Sequence, residues 1–111
     1  MYKIVASRTF KLCLDRLVHF LTRKYSAEFA QQIKQTIKKA ILENLSSNPF
    51  VAPVSERLVE LGIKEYRQCL IEEHNIVFYR VDKNEKKVVL LAVMDSRQSI
   101  QKLLSEIMLL S

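Results

Sequence analysis

The chain has 111 residues, 49% hydrophobic and 27% charged, with one glycine and two prolines. These values fit one globular domain with one core. They leave no Gly-rich loop to cradle a dinucleotide or a Walker-type phosphate, and no run reaches the ~18 to 20 apolar residues of a spanning helix. The net charge of +6 is lopsided: residues 1–50 hold nine Lys/Arg against three Asp/Glu, whereas residues 51–111 hold nine of each. Such a localised field attracts nucleic acid or an acidic partner segment, unless it is only a solvated helical face.

Tyr2 to Ala6, "YKIVA", leans towards a strand. From Arg8 the apolar period turns helical, with Phe10, Cys13, Leu14, Leu17, Val18, Leu21 and Tyr25 on one face and Ser7 or Thr9 as cap. Arg16, Arg23 and Lys24 fall mostly off that face. "KYS" interrupts the pattern. Ser26 is a good N-cap for a second helix carrying Phe29, Ile33, Ile37, Ala40 or Ile41, and Leu45, with Glu28 favourable to the dipole. Lys34, Lys38 and Lys39 lie away from its apolar face. "SSNP" at 46–49 stops the helix, since proline can neither continue one nor tolerate one before it. So short a connection predicts an antiparallel helical hairpin, amphipathic and therefore packed on something else.

Residues 47–63 read as irregular, with a turn at Gly62. Three β-like segments follow: Tyr66 to Ile71, Ile76 to Val81 and Lys87 to Met94. The turns "EEHN" and "DKNEK" between them are short and polar, so antiparallel hairpins are predicted. The third segment is apolar on consecutive positions, as in a central strand covered on both faces. Ile100, Leu103, Leu104, Ile107 and Met108 then form a helical stripe, with Ser96 or Ser99 as cap, and Leu109 and Leu110 widen it. The order is β-α-α-β-β-β-α: a two-layer α+β domain spanning 1–111, with the helical hairpin on a small, mainly antiparallel sheet and a C-terminal helix.

Cys13 and Cys69 sit far apart in patterned segments and read as small hydrophobes rather than a disulfide scaffold or zinc motif. His19, on a helix, and His74, in a turn, have no ligand spacing. No metal or cofactor is expected. Arg8, Lys11, Asp15 and Arg16 interrupt any signal-peptide core, so a cytoplasmic location without a membrane is expected.

The stretch "EYRQCLIEEHNIVFYRVDKNEKKVVLLAVMDSRQSI" resembles the RelE/ParE superfamily of bacterial toxins. It has the aromatic-basic start of a strand, the "NIVFYRV" strand, and the apolar strand "VVLLAV" that ends at an arginine-bearing junction before the last helix. The resemblance implies the toxin of a two-gene toxin–antitoxin module, neutralised by a cognate antitoxin. RelE-type members cleave messenger RNA on the ribosome, using basic side chains that stabilise charge on the scissile phosphate. Against that pattern, the basic pair of the second strand is here Arg67 and Cys69, and the arginine opening the third strand is Ile76. The junction arginine is kept as Arg97, and Leu103 and Leu104 stand near the place of the helix tyrosine. Only Arg67 and Arg97 remain as catalytic candidates for a ribonuclease.

The ParE branch, which poisons DNA gyrase by binding it, fits better. On this reading Arg67, Arg97, Leu104 and Met108 contact the target. Arg16, Arg23, Lys34, Lys38 and Arg80 meet an acidic, partly disordered antitoxin segment. An active ribonuclease acting on ribosome and mRNA, and a weakly toxic member working mainly through its antitoxin complex, are the alternatives. Homodimer and hetero-oligomer both stay open. The arginine at the junction has two readings: an anion-attracting corner beside a helix N-terminus, or a partner for Asp95, Asp82 or a backbone carbonyl.

Overall fold

The computed structural model describes the backbone of residues 1–110 and the side chains of residues 1–106. Strand β1 covers Lys3–Ala6, followed by helices α1 (Arg8–Lys24) and α2 (Ala27–Ala40), the latter running on into a π-helical turn at Ile41–Leu45. A short helix α3 (Glu56–Glu60) precedes strands β2 (Arg67–Ile71), β3 (Asn75–Asp82) and β4 (Lys87–Asp95), and α4 spans Ile100–Leu110. The two long helices start where a side chain satisfies a free backbone N–H. The Ser7 hydroxyl accepts from the Phe10 N–H and the Ser26 hydroxyl from the Phe29 N–H, each at 3.0 Å. Ser99 caps α4, accepting from the Lys102 N–H at 3.3 Å.

The sheet order is β1-β4-β3-β2. β2, β3 and β4 are antiparallel, and β1 pairs with β4 in parallel, Ile4 opposite Val88 and Ala6 opposite Leu90. The parallel pair is the consequence of the helical hairpin, which carries the chain back across the sheet before the β-meander begins. β4 is central, as its apolar run predicts, yet it is not covered evenly. Val88 to Leu91 alternate between buried and half-buried, whereas Ala92 to Asp95 are buried throughout. The change coincides with a register shift opposite Phe78 and Tyr79, where one extra residue of β4 turns its second half.

α1 lies against β4, α2 packs beside α1, and α4 touches α1. Phe10, Cys13, Leu14, Leu17 and Leu21 of α1 are buried with Ala30, Ile37, Ile41 and Leu45 from the second arm. They form one core with Val77, Phe78, Tyr79, Val88 and Met94 of the sheet and with Leu58, Ile100 and Leu103.

Three sequence expectations are corrected. Residues 47–63 are not wholly irregular: α3 forms, with the Ser55 hydroxyl accepting from the Leu58 N–H, and Leu58 is fully buried. Tyr25 and Phe29, placed by period on the buried faces, are instead largely exposed at the hairpin tip, their rings 4.9 Å apart. Both stand where helix ends beyond the sheet, so the period outlasts the core. Tyr79, which an alternating strand with one wet face would leave half-buried, is fully buried.

Leu17→Ala is expected to lower unfolding stability by about 2–5 kcal/mol through the cavity it leaves. Leu42→Ala, at a residue 61% exposed on the π turn, should shift it by less than about 0.5 kcal/mol. Urea denaturation followed by circular dichroism measures both.

Candidate functional site

The β4–α4 junction is built on Asp95. Its side chain is 1% exposed, and an unpaired buried carboxylate would be costly. Arg97 meets it through a two-pronged contact, Nε to Oδ1 and Nη2 to Oδ2, both 2.6 Å. The Arg97 backbone N–H also donates to Oδ1 at 2.9 Å, a turn that reverses the chain after β4. Gln98 closes the corner, its side-chain oxygen accepting from the Asp95 N–H at 2.9 Å. The Ser96 N–H donates to the His74 carbonyl at 2.6 Å, tying the junction to the β2–β3 turn. The remaining Arg97 nitrogen, Nη1, donates to the Tyr25 hydroxyl at 2.7 Å. Thus one guanidinium joins the end of β4, the approach to α4 and the end of α1.

Burial alone would raise the Asp95 carboxyl; the hydrogen bonds and charge of Arg97, helped by the nearby His74, hold it below its ordinary value instead. Arg97 is correspondingly raised, chiefly by its hydrogen bonds to Asp95 and then Tyr25.

Arg67 opens β2, on the far side of β3 from β4 and level with the middle of both strands. It is half-buried beneath the segment that leads from the π turn to α3. Its Nη1 donates to the Ala52 carbonyl at 2.6 Å, and its guanidinium lies 5.0 Å from the centre of the Phe50 ring. Opposite it in register is Tyr79, whose hydroxyl donates to the Pro49 carbonyl at 2.6 Å. Burial pushes the Tyr79 phenol up to about 12, with the Cys69 charge adding to the rise and the Ala52 backbone and Arg67 opposing it. Burial likewise raises both thiols, Cys13 to about 11, so neither is an activated nucleophile.

The two arginines do not converge. Arg67 is level with Tyr79 of β3 and Asp95 with Asn75. Those rows lie about 13 Å apart along the strands, with two strand spacings between β2 and β4. Ile76 and Leu103 are buried and Leu104 is half-buried against the core, so none of the three handles a proton. The Met108 side chain lies outside the described residues. Arg16 and Arg23 lie on α1, Lys34 and Lys38 on α2, and Arg80, half-buried, on β3. Arg16 is bound to Glu106 of α4 at 2.6 Å. Tyr25 was missed as a site residue. Its partner is 72 positions away, and no local pattern announces such a contact. Among the described residues no group of three or more His, Cys, Asp or Glu is placed to hold a metal ion, and no helix is long and apolar enough to cross a membrane.

Strand order, helical hairpin and arginine-bearing junction together define a RelE/ParE-type toxin fold. The chain belongs to the family described as the ParE toxin of the type II toxin-antitoxin system parDE, whose pattern matches residues 4–100. No curated protein matches it. Among solved structures it is similar to the chromosomal ParDE toxin–antitoxin system of Pseudomonas aeruginosa, with TM-score 0.65 and 18% identity over 86% of this chain and 96% of the other. It is also similar to the RelBE2 toxin–antitoxin complex of Mycobacterium tuberculosis, with TM-score 0.63 and 18% identity over 85% and 96% of the two chains. A metal-bound toxin from Helicobacter pylori matches at TM-score 0.55 and 21% identity, over 86% and 94%. At these identities the likeness is one of fold.

Asp95→Asn removes a carboxylate whose folded-state pKa lies below the ordinary 3.8. The stability it contributes is complete above the unfolded value and is lost as pH falls through the folded one. The parent should therefore be more stable than the variant at pH 7, and in urea titrations the gap should narrow as pH falls below the ordinary carboxylate value and on through the lower folded one. Tyr79→Phe leaves the Pro49 carbonyl without its donor and should cost about 1–3 kcal/mol in the same assay.

Proposed function

We propose that this ParE-family toxin acts by docking on DNA gyrase and stalling it, without cleaving RNA, and that a cognate antitoxin neutralises it. The observation that supports this is the employment of its two candidate catalytic arginines. Arg67 is committed to the Ala52 carbonyl and the Phe50 ring, and Arg97 to Asp95 and Tyr25. A phosphorane needs preorganised donors aimed at one point, and losing even one such donor costs about 3 kcal/mol. Here the two cations are held by different partners on rows about 13 Å apart along the strands. The other positions of the ribonuclease pattern carry Cys69, Ile76, Leu103 and Leu104, none of which adds a cation.

The antitoxin part of the reading rests on family membership and on the charge of the helical hairpin. The solved relatives named above are toxin–antitoxin assemblies in two cases. The partner suited to a basic hairpin is an acidic segment that orders on binding.

Purified gyrase with supercoiled and relaxed plasmid tests the target. Added toxin should block supercoiling and trap cleaved DNA, while transcripts on translating ribosomes stay intact. Gyrase left fully active at high toxin excess would remove this target. Transcript cuts that disappear in the Arg67→Ala, Arg97→Ala double variant would replace it with the ribonuclease.

A further inference from the structure

We propose that the tip of the helical hairpin, where the Tyr25 and Phe29 rings project into solvent, is the anchor by which this toxin holds its protein target. The target surface it fits has an apolar notch ringed by both charge signs. This deepens the docking part of the reading above and rests on it.

Tyr25 caps the end of α1 and Phe29 lies in the first turn of α2. They are 50% and 37% exposed, with their rings 4.9 Å apart and tilted by 57°. Both are held in place. Arg97 Nη1 donates to the Tyr25 hydroxyl at 2.7 Å, and the Tyr25 N–H donates to the Leu21 carbonyl at 2.8 Å. The Ser26 hydroxyl accepts from the Phe29 N–H at 3.0 Å. An aromatic pair ordered before contact loses little conformational freedom on binding. Tyrosine beside arginine is also the composition enriched among the residues that dominate protein interfaces. Val54, which bridges to the start of β2, and Leu70 on that strand are also exposed, but they are aliphatic types under-represented in that role.

The charges around the rings select the kind of partner. Arg23 and Lys24 close α1, and Glu28 opens α2. All three are exposed and make no ion pair among the described residues. Each stands at the helix end whose dipole favours it, so both signs at the tip are compatible with the fold. The Arg97 charge is neutralised by Asp95. A polyanion offers one sign only: a phosphate backbone or a run of acidic residues would meet Arg23 and Lys24 but be repelled by Glu28. Rings tilted by 57° also lack the parallel faces on which successive bases stack. A folded protein can present carboxylates to Arg23 and Lys24 and a cation to Glu28. The Lys24 ammonium lies 5.9 Å from the centre of the Tyr25 ring, which places Tyr25 at the rim. Among the described residues no cation stands over the Phe29 ring, so Phe29 is the ring that enters the notch.

The test uses the full-length toxin and purified gyrase without DNA, with affinity read by biolayer interferometry and inhibition by the supercoiling assay. Circular dichroism melts confirm that each variant folds. Phe29→Ala and Tyr25→Ala should each weaken binding at least about tenfold and raise the inhibitory concentration in step. Tyr25→Phe keeps the ring but frees it from Arg97, and should bind between the parent and Tyr25→Ala. Arg23→Glu and Glu28→Lys should both weaken binding severalfold, because opposite signs face opposite partners. Leu70→Glu, on the β2 edge, should leave it unchanged. Full binding by both alanine variants, or a loss confined to Leu70→Glu, would overturn the tip and leave gyrase as the target. Tighter binding by Glu28→Lys would overturn the mixed-sign partner. A parent toxin that neither binds nor inhibits gyrase would remove the target and the anchor together, so the parent reports on the target and the variants on the tip.

Discussion

The structure turns on one buried carboxylate. Asp95 ends a central strand inside the core, where an ionised group needs both a counter-charge and hydrogen bonds for its oxygens. Arg97 supplies the charge and both prongs, and its own backbone N–H completes the turn. Once the guanidinium is held there, its third side reaches Tyr25, so the position of α1's last turn is linked to the start of α4. Arg16 and Glu106 repeat the link nine residues back along α1. An arginine at a strand–helix junction is often read as a phosphate receptor. Here its charge is already spent within the fold.

The same economy operates where β2 begins. The segment from Pro49 to Pro53 crosses Tyr79 and Arg67, and its carbonyls take up the donors of both. Backbone acceptors that would otherwise be buried without partners are satisfied by side chains from the strands. The polar groups of this face are turned inward. Chemistry on a phosphodiester needs such groups free and convergent. Docking needs exposed shape and charge, which this molecule keeps on its helical side.

Much of the architecture was legible because local signals and burial agree. Ser7 and Ser26 stand where the helical period begins, and each caps its helix. The hairpin turns lie where polar residues interrupt strand patterns. The parts that were not legible depend on distance. α3 is five residues long with one buried side chain, too short for a period, although Ser55 three residues before Leu58 is the cap signal that betrays it. Tyr25 and Phe29 share the helical phase of the core yet project past the sheet's end. At the junction, the pairing of Arg97 with Asp95 was among the readings the sequence left open, since two positions suffice for an Asx-type turn. The third partner, Tyr25, comes from another element altogether. The shift in β4 likewise arises from how β3 pairs beside Phe78, not from anything in β4 alone.

The central claim is that Arg97 serves the fold rather than a substrate. The most direct measurement is the ¹⁵Nε–Hε resonance of Arg97, recorded with that of Arg67 while a short single-stranded RNA is titrated in. If the clamp on Asp95 is as described, the Arg97 Hε exchanges slowly with water and neither resonance moves. Joint movement of both resonances with saturating RNA would contradict the account, because it would mean that the two guanidinium groups leave their protein partners to share one phosphate.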